Sequence, residues 1–412
     1  MNMLKYRRFS IASIGAVFCA TSLMAGELSV SADIGDGQYT TIQSAINAAN
    51  NGDRIKVYPG TYLENIDFLG KRILIFSAKG AKKTNIDGQF LGPTVTFSSG
   101  ENRNSELRGF TIRHGSGRWA AADGDSGYAG GGLFISGAHP QIIDCDIRDN
   151  YAEFGGGAGV GFDAKPLFEG CTFRDNYTYS NGLGGGVYAI YSKPVFVDTV
   201  FKGNHSALDG GAMYTNQCDV EVDGCKFLKN TAEQDGGAID NYLSTLFAVN
   251  TLFKKNQAAS AGGGIALDES DGVLKKCTLL KNTAGAAGGV GVLEGSLKVV
   301  DSRVSKNKAN GYYVYIPEFS NFAGGIGIYM SRFDLEDVTI DRNRADQAGG
   351  VGIYDSVGVI DNCEVKDNNK TGIHVLDNNG KVDIRNTKAC QNNGKDVKGP
   401  FANLGGNNIC DR

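Results

Sequence analysis

Apolar and polar residues alternate with period two over most of this chain, in short runs that recur at a steady interval. Pairs such as Val187/Ala189, Ile265/Leu267, Ile326/Ile328 and Val351/Ile353 follow glycine pairs or triplets. A second run ends on Asn, with apolar residues ten, eight, five and three positions earlier, as Phe333, Leu335, Val338 and Ile340 precede Asn343. Period two is the mark of a strand with one buried face. The alternation breaks six positions before the Asn, at Asp144, Gly170, Asp198, Gly224, Asn250, Asp301, Asp337 or Asn362. These residue types accept left-handed backbone or bond their own main chain, so a sharp bend is expected there.

The landmark Asn residues are Asn150, Asn176, Asn204, Asn230, Asn256, Asn282, Asn307, Asn343 and Asn368, spaced 26, 28, 26, 26, 26, 25, 36 and 25 apart. Glycine pairs or triplets recur in phase with them, as at Gly184–Gly186, Gly236–Gly237 and Gly324–Gly325. Repeats of this length signify stacked supersecondary units. At about 3.3 Å per strand residue, each repeat suits one three-sided coil, and coils stack about 4.8 Å apart. The fold predicted is an all-β parallel β-helix, its glycines turning a corner where a Cβ would clash. The repeated Asn would form a ladder, each amide bonding the next coil.

Residues 26–129 read as an N-terminal cap and the first coils. Ile42, Ala45, Ile46 and Ala49 share one helical face, and a short helix over the open end of a solenoid is the expected cap. Strands are predicted at 54–58, 72–76 and 94–97. Residues 130–386 hold the regular coils, and residues 387–412 form a cap or tail at the other end.

Composition sharpens this picture. Glycine accounts for 59 of 412 residues and proline for 7, about twice the usual glycine share of roughly 7%. Collagen would require far more proline, and 41% hydrophobic residues exclude a flexible linker. Residues 1–25 read as a secretory signal: Lys5, Arg7 and Arg8, an apolar run from Ile11 to Ala20, and a cut after Ala25. The protein is therefore expected to be secreted, extracellular or periplasmic, or on the cell surface. No later stretch reaches the roughly 20 apolar residues that span a membrane. Removing three of the 41 basic residues leaves 38 against 45 acidic ones, a balance of −7. That argues against nucleic acid as a partner, since such binding rests on neutralising phosphates. Cys145, Cys171, Cys225, Cys277 and Cys363 each stand five residues before a landmark Asn, where other coils have Thr199, Thr251, Ser302 or Val338. They are small core residues by that pattern. Cys390 and Cys410 lie outside it as candidates for a disulfide, and Cys218 has no evident partner.

The segment from Tyr39 to Glu64, YTTIQSAINAANNGDRIKVYPGTYLE, resembles the opening of pectin-lyase-like right-handed parallel β-helix proteins. The Gly-Gly-Ala-Ile and Phe-x-x-Asn elements, as at Gly236–Ile239, resemble repeats of polymorphic outer-membrane adhesins. The first resemblance implies the right-handed fold with its helical cap, shared by enzymes and non-enzymes. The strings around the catalytic residues of pectinesterases and polygalacturonases are not present.

Substrate in a β-helix enzyme lies along stacked strands, so a site should show as polar residues on adjacent coils. The outward positions after the glycines supply Tyr188, then Tyr214 and Asn216, then Asp240 and Tyr242, then Asp268. The adjoining corner adds Asp209 and Asp235. Tyrosine faces stack on sugar rings, and paired carboxyls serve as acid and base. Solvated strand faces and corner caps would give the same pattern. Two insertions depart from the period. Residues 115–129 bring Arg118, Trp119 and Tyr128, with Asp123 and Asp125 as weak calcium candidates. Residues 308–323 bring Tyr312, Tyr313, Tyr315, Glu318 and Phe322. Both leave the same edge of the coil, roughly 30 Å apart, and would bracket the Tyr/Asp face. The four histidines have no metal or triad spacing. Calcium is the one cofactor this inventory admits, and it fixes no oligomeric state. The preferred function is binding of polysaccharide or a cell-surface partner through the long strand face. The alternative is a polysaccharide lyase or glycoside hydrolase acting on an extracellular glycan, uronate-containing ones included.

Overall fold

The computed structural model describes residues 25–33, 35–122, 125–311, 320–376 and 380–410. The expected leader lies outside them up to residue 24, as do Asp123 and residues 312–319 of the second insertion. Asp125 is described only as the start of a strand.

One coil shows how the rest are built. Met213–Asn216 leaves the glycine corner, Asp219–Asp223 follows after a bend, then Lys226–Leu228, and Thr231–Ala232 leads to the next glycines. Each strand pairs in parallel with its counterpart one coil on, Met213 with Ile239 and Glu221 with Phe247, for example. The result is a parallel β-solenoid of about 14 coils, with sheets of 13, 15 and 14 strands. A fourth, nine-stranded sheet lies between the Asn and the glycines, so many coils have four sides where three were predicted. Its strands are often two residues long, as in His205–Ser206, too short to carry a period. The first insertion supplies two antiparallel strands, Arg118–Ala122 and Asp125–Ala129, at the edge of this fourth sheet.

The predicted bends are left-handed, with φ of 52° at Asp144, 48° at Asp198 and 50° at Asn250. A second left-handed column stands directly before the ladder Asn, where Lys229, Lys255, Lys281 and Arg342 adopt φ of 55° to 59°. Nothing in those residue types announces it. The stacked corner imposes the conformation against their preference.

Inside the coils like stacks on like. Phe201 and Phe227 lie 4.6 Å apart and 2° from parallel, and Phe227 and Phe253 4.9 Å apart. Each ladder amide is buried and bonded on every side. Asn230 Oδ1 accepts from Asn204 N and Nδ2, both at 3.0 Å, while Asn230 Nδ2 donates to Phe201 O and to Asn256 Oδ1. The ladder runs one step past the landmarks, to Asn392, whose amide ends on Asp396 Oδ1. The five pattern cysteines and Cys218 are free and buried, and Cys390 is bonded to Cys410.

The helix Ile42–Ala48 caps the first coil and buries Ile42, Ala45 and Ile46. The Glu64 carboxylate accepts from Ile42 N and Gln43 N, and Lys71 Nζ donates to Ile46 O, Asn47 O and Ala49 O. Negative charge at the helix start and positive at its end both complement the helix dipole. At the other end Lys388–Cys390, Val397–Lys398 and Ala402–Asn403 extend the three long sheets.

Candidate functional site

The 13-stranded sheet turns alternate residues outward, and strand register aligns them into two columns. One runs Phe134, Gly159, Tyr188, Tyr214, Asp240, Ala266, Gly291, Gly327. The other runs Ile190, Asn216, Tyr242, Asp268, Leu293, Tyr329. A third column, the residue before the left-handed glycines, runs Ala129, Phe154, Leu183, Asp209, Asp235, Ala261. Within these stretches carboxylates stand only in the coils from Asp209 to Asp268. Apolar side chains flank them in two clusters, one with Phe154, Leu183 and Tyr188, the other with Ala261, Phe322 and Tyr329.

Between the clusters lies a cavity of about 250 Å³, lined by Asp209, Asp235, Asp240 and Asp268, by Tyr214, Tyr242 and Tyr329, and by small or apolar residues such as Ala266 and Gly291. The cavity sits where the coil shortens. Gly236 and Gly262 are left-handed, at φ of 62° and 61°, whereas Ala287, which takes that place in the 25-residue coil that follows, is not. A Cβ on Gly236 would stand 2.5 Å from Asp240 Cβ and from Ile239 O, so the corner beside Asp240 admits only glycine.

The four carboxylates face outward as predicted, yet Asp240 is buried and the other three are only half-exposed. Asp240 is 6% exposed, and burial holds its carboxyl well above the usual range, with the charges of Asp209, Asp235 and Asp268 adding to the effect. Burial, then Asp209, pushes Asp235 up to about 7. Burial and the charge of Asp268 push Asp209 up to about 6, while the N–H of Asp235 works the other way. Asp268 is raised by burial, then by Glu269 and Glu294 at the rim. Two of the four also bond the corner: Asp209 Oδ1 accepts from Asp235 N at 2.9 Å, and Asp235 Oδ1 accepts from Ala261 N. No Lys, Arg or His among the described residues lines the cavity. Among the described residues none of the four Asp forms an ion pair.

Other predicted residues fall elsewhere. Tyr188 is buried and stacks on Tyr214 at 5.7 Å, but it lines a second, apolar groove with Phe134 and Phe154. Asn216 is buried beside Tyr242, and its Oδ1 has no hydrogen-bond partner among the described residues. Arg118 lies over the Phe134 ring at 4.8 Å, and Trp119, 61% exposed, meets Tyr128 edge-on. Neither joins the acidic cavity. Phe322 is fully buried against Tyr329, so it packs the wall rather than offering a contact. Tyr329 itself went unread, although its column position, two coils after Asp268, marks it. His374 is held down to about 4, by burial and then by Lys398, remote from the cavity. Among the described residues no group of three or more His, Cys, Asp or Glu is arranged to hold a metal.

Two overlapping stretches, residues 102–251 and 181–316, match the family described as right handed beta helix region. No curated protein matches the chain. Solved structures of similar fold include a mannuronic acid specific polysaccharide family 6 lyase from human gut microbiota, 11% identical over 92% of this chain and 83% of its own, with a TM-score of 0.43. They include PfbA, a surface adhesin of Streptococcus pneumoniae, 12% identical over 88% of both chains, TM-score 0.39. The mannuronan C-5 epimerase A-module of Azotobacter vinelandii is 13% identical over 89% of this chain and 93% of its own, TM-score 0.37. At such identities the likeness concerns fold alone. These neighbours include both enzymes and an adhesin. No helix among the described residues is long and apolar enough to cross a membrane.

Proposed function

Because this chain belongs to the right-handed β-helix family, we propose that it binds a carbohydrate chain bearing no negative charge in the groove between Tyr214, Tyr242 and the four aspartates. It does so outside the cytoplasm, after loss of residues 1–25. One observation carries the reading: a cavity of about 250 Å³ joins three tyrosines and four carboxyls, with no basic residue among its described lining residues. Tyrosine faces suit sugar rings, and a carboxyl held neutral by burial donates as well as accepts, as sugar hydroxyls require. A uronate would meet repulsion of about 4 kcal/mol for each of these carboxyls that is ionised and approached to 4 Å near a protein surface.

Hydrolysis is the second reading, favoured by carboxyls held protonated toward neutrality beside the less buried Asp268. Such a pair suits a general acid and a base or nucleophile. A lyase would need a base and a cationic group to stabilise the anion, and the described lining residues offer no basic side chain for either role.

The test is a binding and turnover screen of the full chain against neutral, amino and uronate polysaccharides, with and without calcium. Retention on neutral or amino glycans without product, lost in Tyr242→Ala, is the expected result. Release of reducing ends that disappears in Asp240→Asn and Asp268→Asn would establish hydrolysis instead. Preference for uronates would overturn both readings.

A further inference from the structure

Neighbouring coils build the same corner and the same strand without acids. The corner that holds Asp209 and Asp235 holds Phe154 and Leu183 on one side and Ala261 on the other, each followed by a left-handed glycine. The position of Asp240 is Tyr214 one coil earlier and Ala266 one coil later. That of Asp268 is Tyr242 before and Leu293 after. Four substitutions to Asp within three neighbouring coils concentrate negative charge where the scaffold accepts apolar groups. Asp240 is the sharpest case. It is 94% buried by its 6% exposure, lines the cavity, and has neither a hydrogen bond nor an ion pair among the described residues. An unpaired buried carboxylate is costly unless a partner arrives. Glu269 and Glu294, both exposed, carry the same sign to the rim beside Asp268.

A neutral sugar would satisfy hydrogen bonds here and leave that charge unanswered. A cation would answer it. An isolated metal ion is a poor fit, since no three of these side chains are arranged to coordinate one. An ammonium group asks less: it accepts single carboxylate contacts from several directions and is attracted to tyrosine faces. We propose that the groove is selective for an amino-sugar polymer with free, protonated amines, the ammonium groups lying among Asp209, Asp235, Asp240 and Asp268 and the rings against Tyr214 and Tyr242. This rests on the glycan-binding reading above and narrows it from chains without negative charge to cationic ones. The same contacts make binding proton-linked. The ionisable groups facing the ammonium are the four Asp, with Tyr214, Tyr242 and Tyr329 around them and Glu269 and Glu294 at the rim. A bound cation favours their ionised forms, so carboxyls that are protonated in the free protein release protons on binding.

The experiment is isothermal titration of the full chain at pH 6 with a fully deacetylated glucosamine hexamer, its N-acetylated counterpart and a uronate hexamer. Two buffers of different ionisation enthalpy are used, each at low and high salt. The deacetylated hexamer is expected to bind about tenfold or more tighter, to release protons, and to weaken with salt. Asp268→Asn, at the more open end, and Asp240→Asn should each reduce the preference, while Tyr242→Ala should weaken both sugars. Far-UV circular dichroism checks that each variant is folded. Equal or tighter binding of the acetylated hexamer, or a preference unchanged in both Asp variants, would overturn the cationic selectivity and leave glycan binding standing. Binding of none of the three would overturn the glycan reading, and this inference with it.

Discussion

Replacing Asp235 with Asn is expected to stabilise the protein at pH 8 and to change little at pH 4. The carboxyl sits at about 7 in the folded chain, against an ordinary 3.8, chiefly because it is buried and then because Asp209 stands one coil away. Between those two values the unfolded chain has lost this proton and the folded chain has kept it. The folded state then binds more protons, so stability falls as pH rises from about 4 to 7 and stays low above that. A difference of about 3 units at 1.36 kcal/mol each gives about 4 kcal/mol, and sharing among the neighbouring carboxyls lowers this to about 2–4 kcal/mol. Asn is isosteric, and its Oδ1 can still accept the Ala261 N–H that Asp235 accepts, so the corner is kept while the charge goes. Urea titrations at pH 4, 6 and 8, followed by far-UV circular dichroism, compare the midpoints of the two proteins. The variant should gain steadily on the parent as pH rises. A constant offset across pH, whatever its sign, would show that Asp235 is not held protonated. A parent that gains on the variant toward pH 8 would reverse the argument.

Asn230→Ala should cost about 3–5 kcal/mol, because it strands the buried Asn204 N–H and removes the bonds to Phe201 O and Asn256 Oδ1; amide hydrogen exchange should show Asn204 losing protection first. Phe227→Ala opens a hole between Phe201 and Phe253 and should cost about 3–5 kcal/mol by urea unfolding, with no effect on glycan binding two sheets away. Burial pushes the thiols of Cys145, Cys225 and Cys363 up to about 12, so alkylation at pH 8 should spare them in the folded protein and label them in denaturant, as mass spectrometry would read.

The repeat made the scaffold legible. Nine copies of the Asn and glycine landmarks gave the ladder, the left-handed bends and the outward columns, because an error in one coil is corrected by its neighbours. What stayed hidden was whatever no period records. The fourth sheet has strands too short to alternate, and the left-handed Lys229 and Lys255 belong to a residue type that gives no warning. Period two also says which way a side chain points and nothing about what stands over it. Tyr214 and Asp240 were therefore read as outward and found buried. Trp119 and Arg118 stood out by rarity and by their insertion, yet hairpin geometry carries them to another groove. Phe322 came from an aromatic insertion and turned inward to fill the wall beside Tyr329.

A solenoid carries its own controls, and this gives the acidic cavity its weight. Each coil repeats the backbone of the next, so a side chain can be compared with what the same position holds about 4.8 Å away. At the corner of Asp209 and Asp235 that comparison gives Leu183 on one side and Ala261 on the other, which shows that the turn closes without an acid. The raised carboxyls show in addition that folding opposes the charge there. A position that the scaffold does not require, and whose charge it resists, is what a binding or catalytic site looks like when stability is set against function. The glycines belong to the same argument. A Cβ on the left-handed Gly236 would strike Asp240 Cβ, and one coil beyond Gly262 the corner gives way to Ala287, which is not left-handed, while Ala266 and Gly291 clear the floor. Backbone and side chains depart from the repeat at one level of the solenoid, and the space between those departures is the cavity.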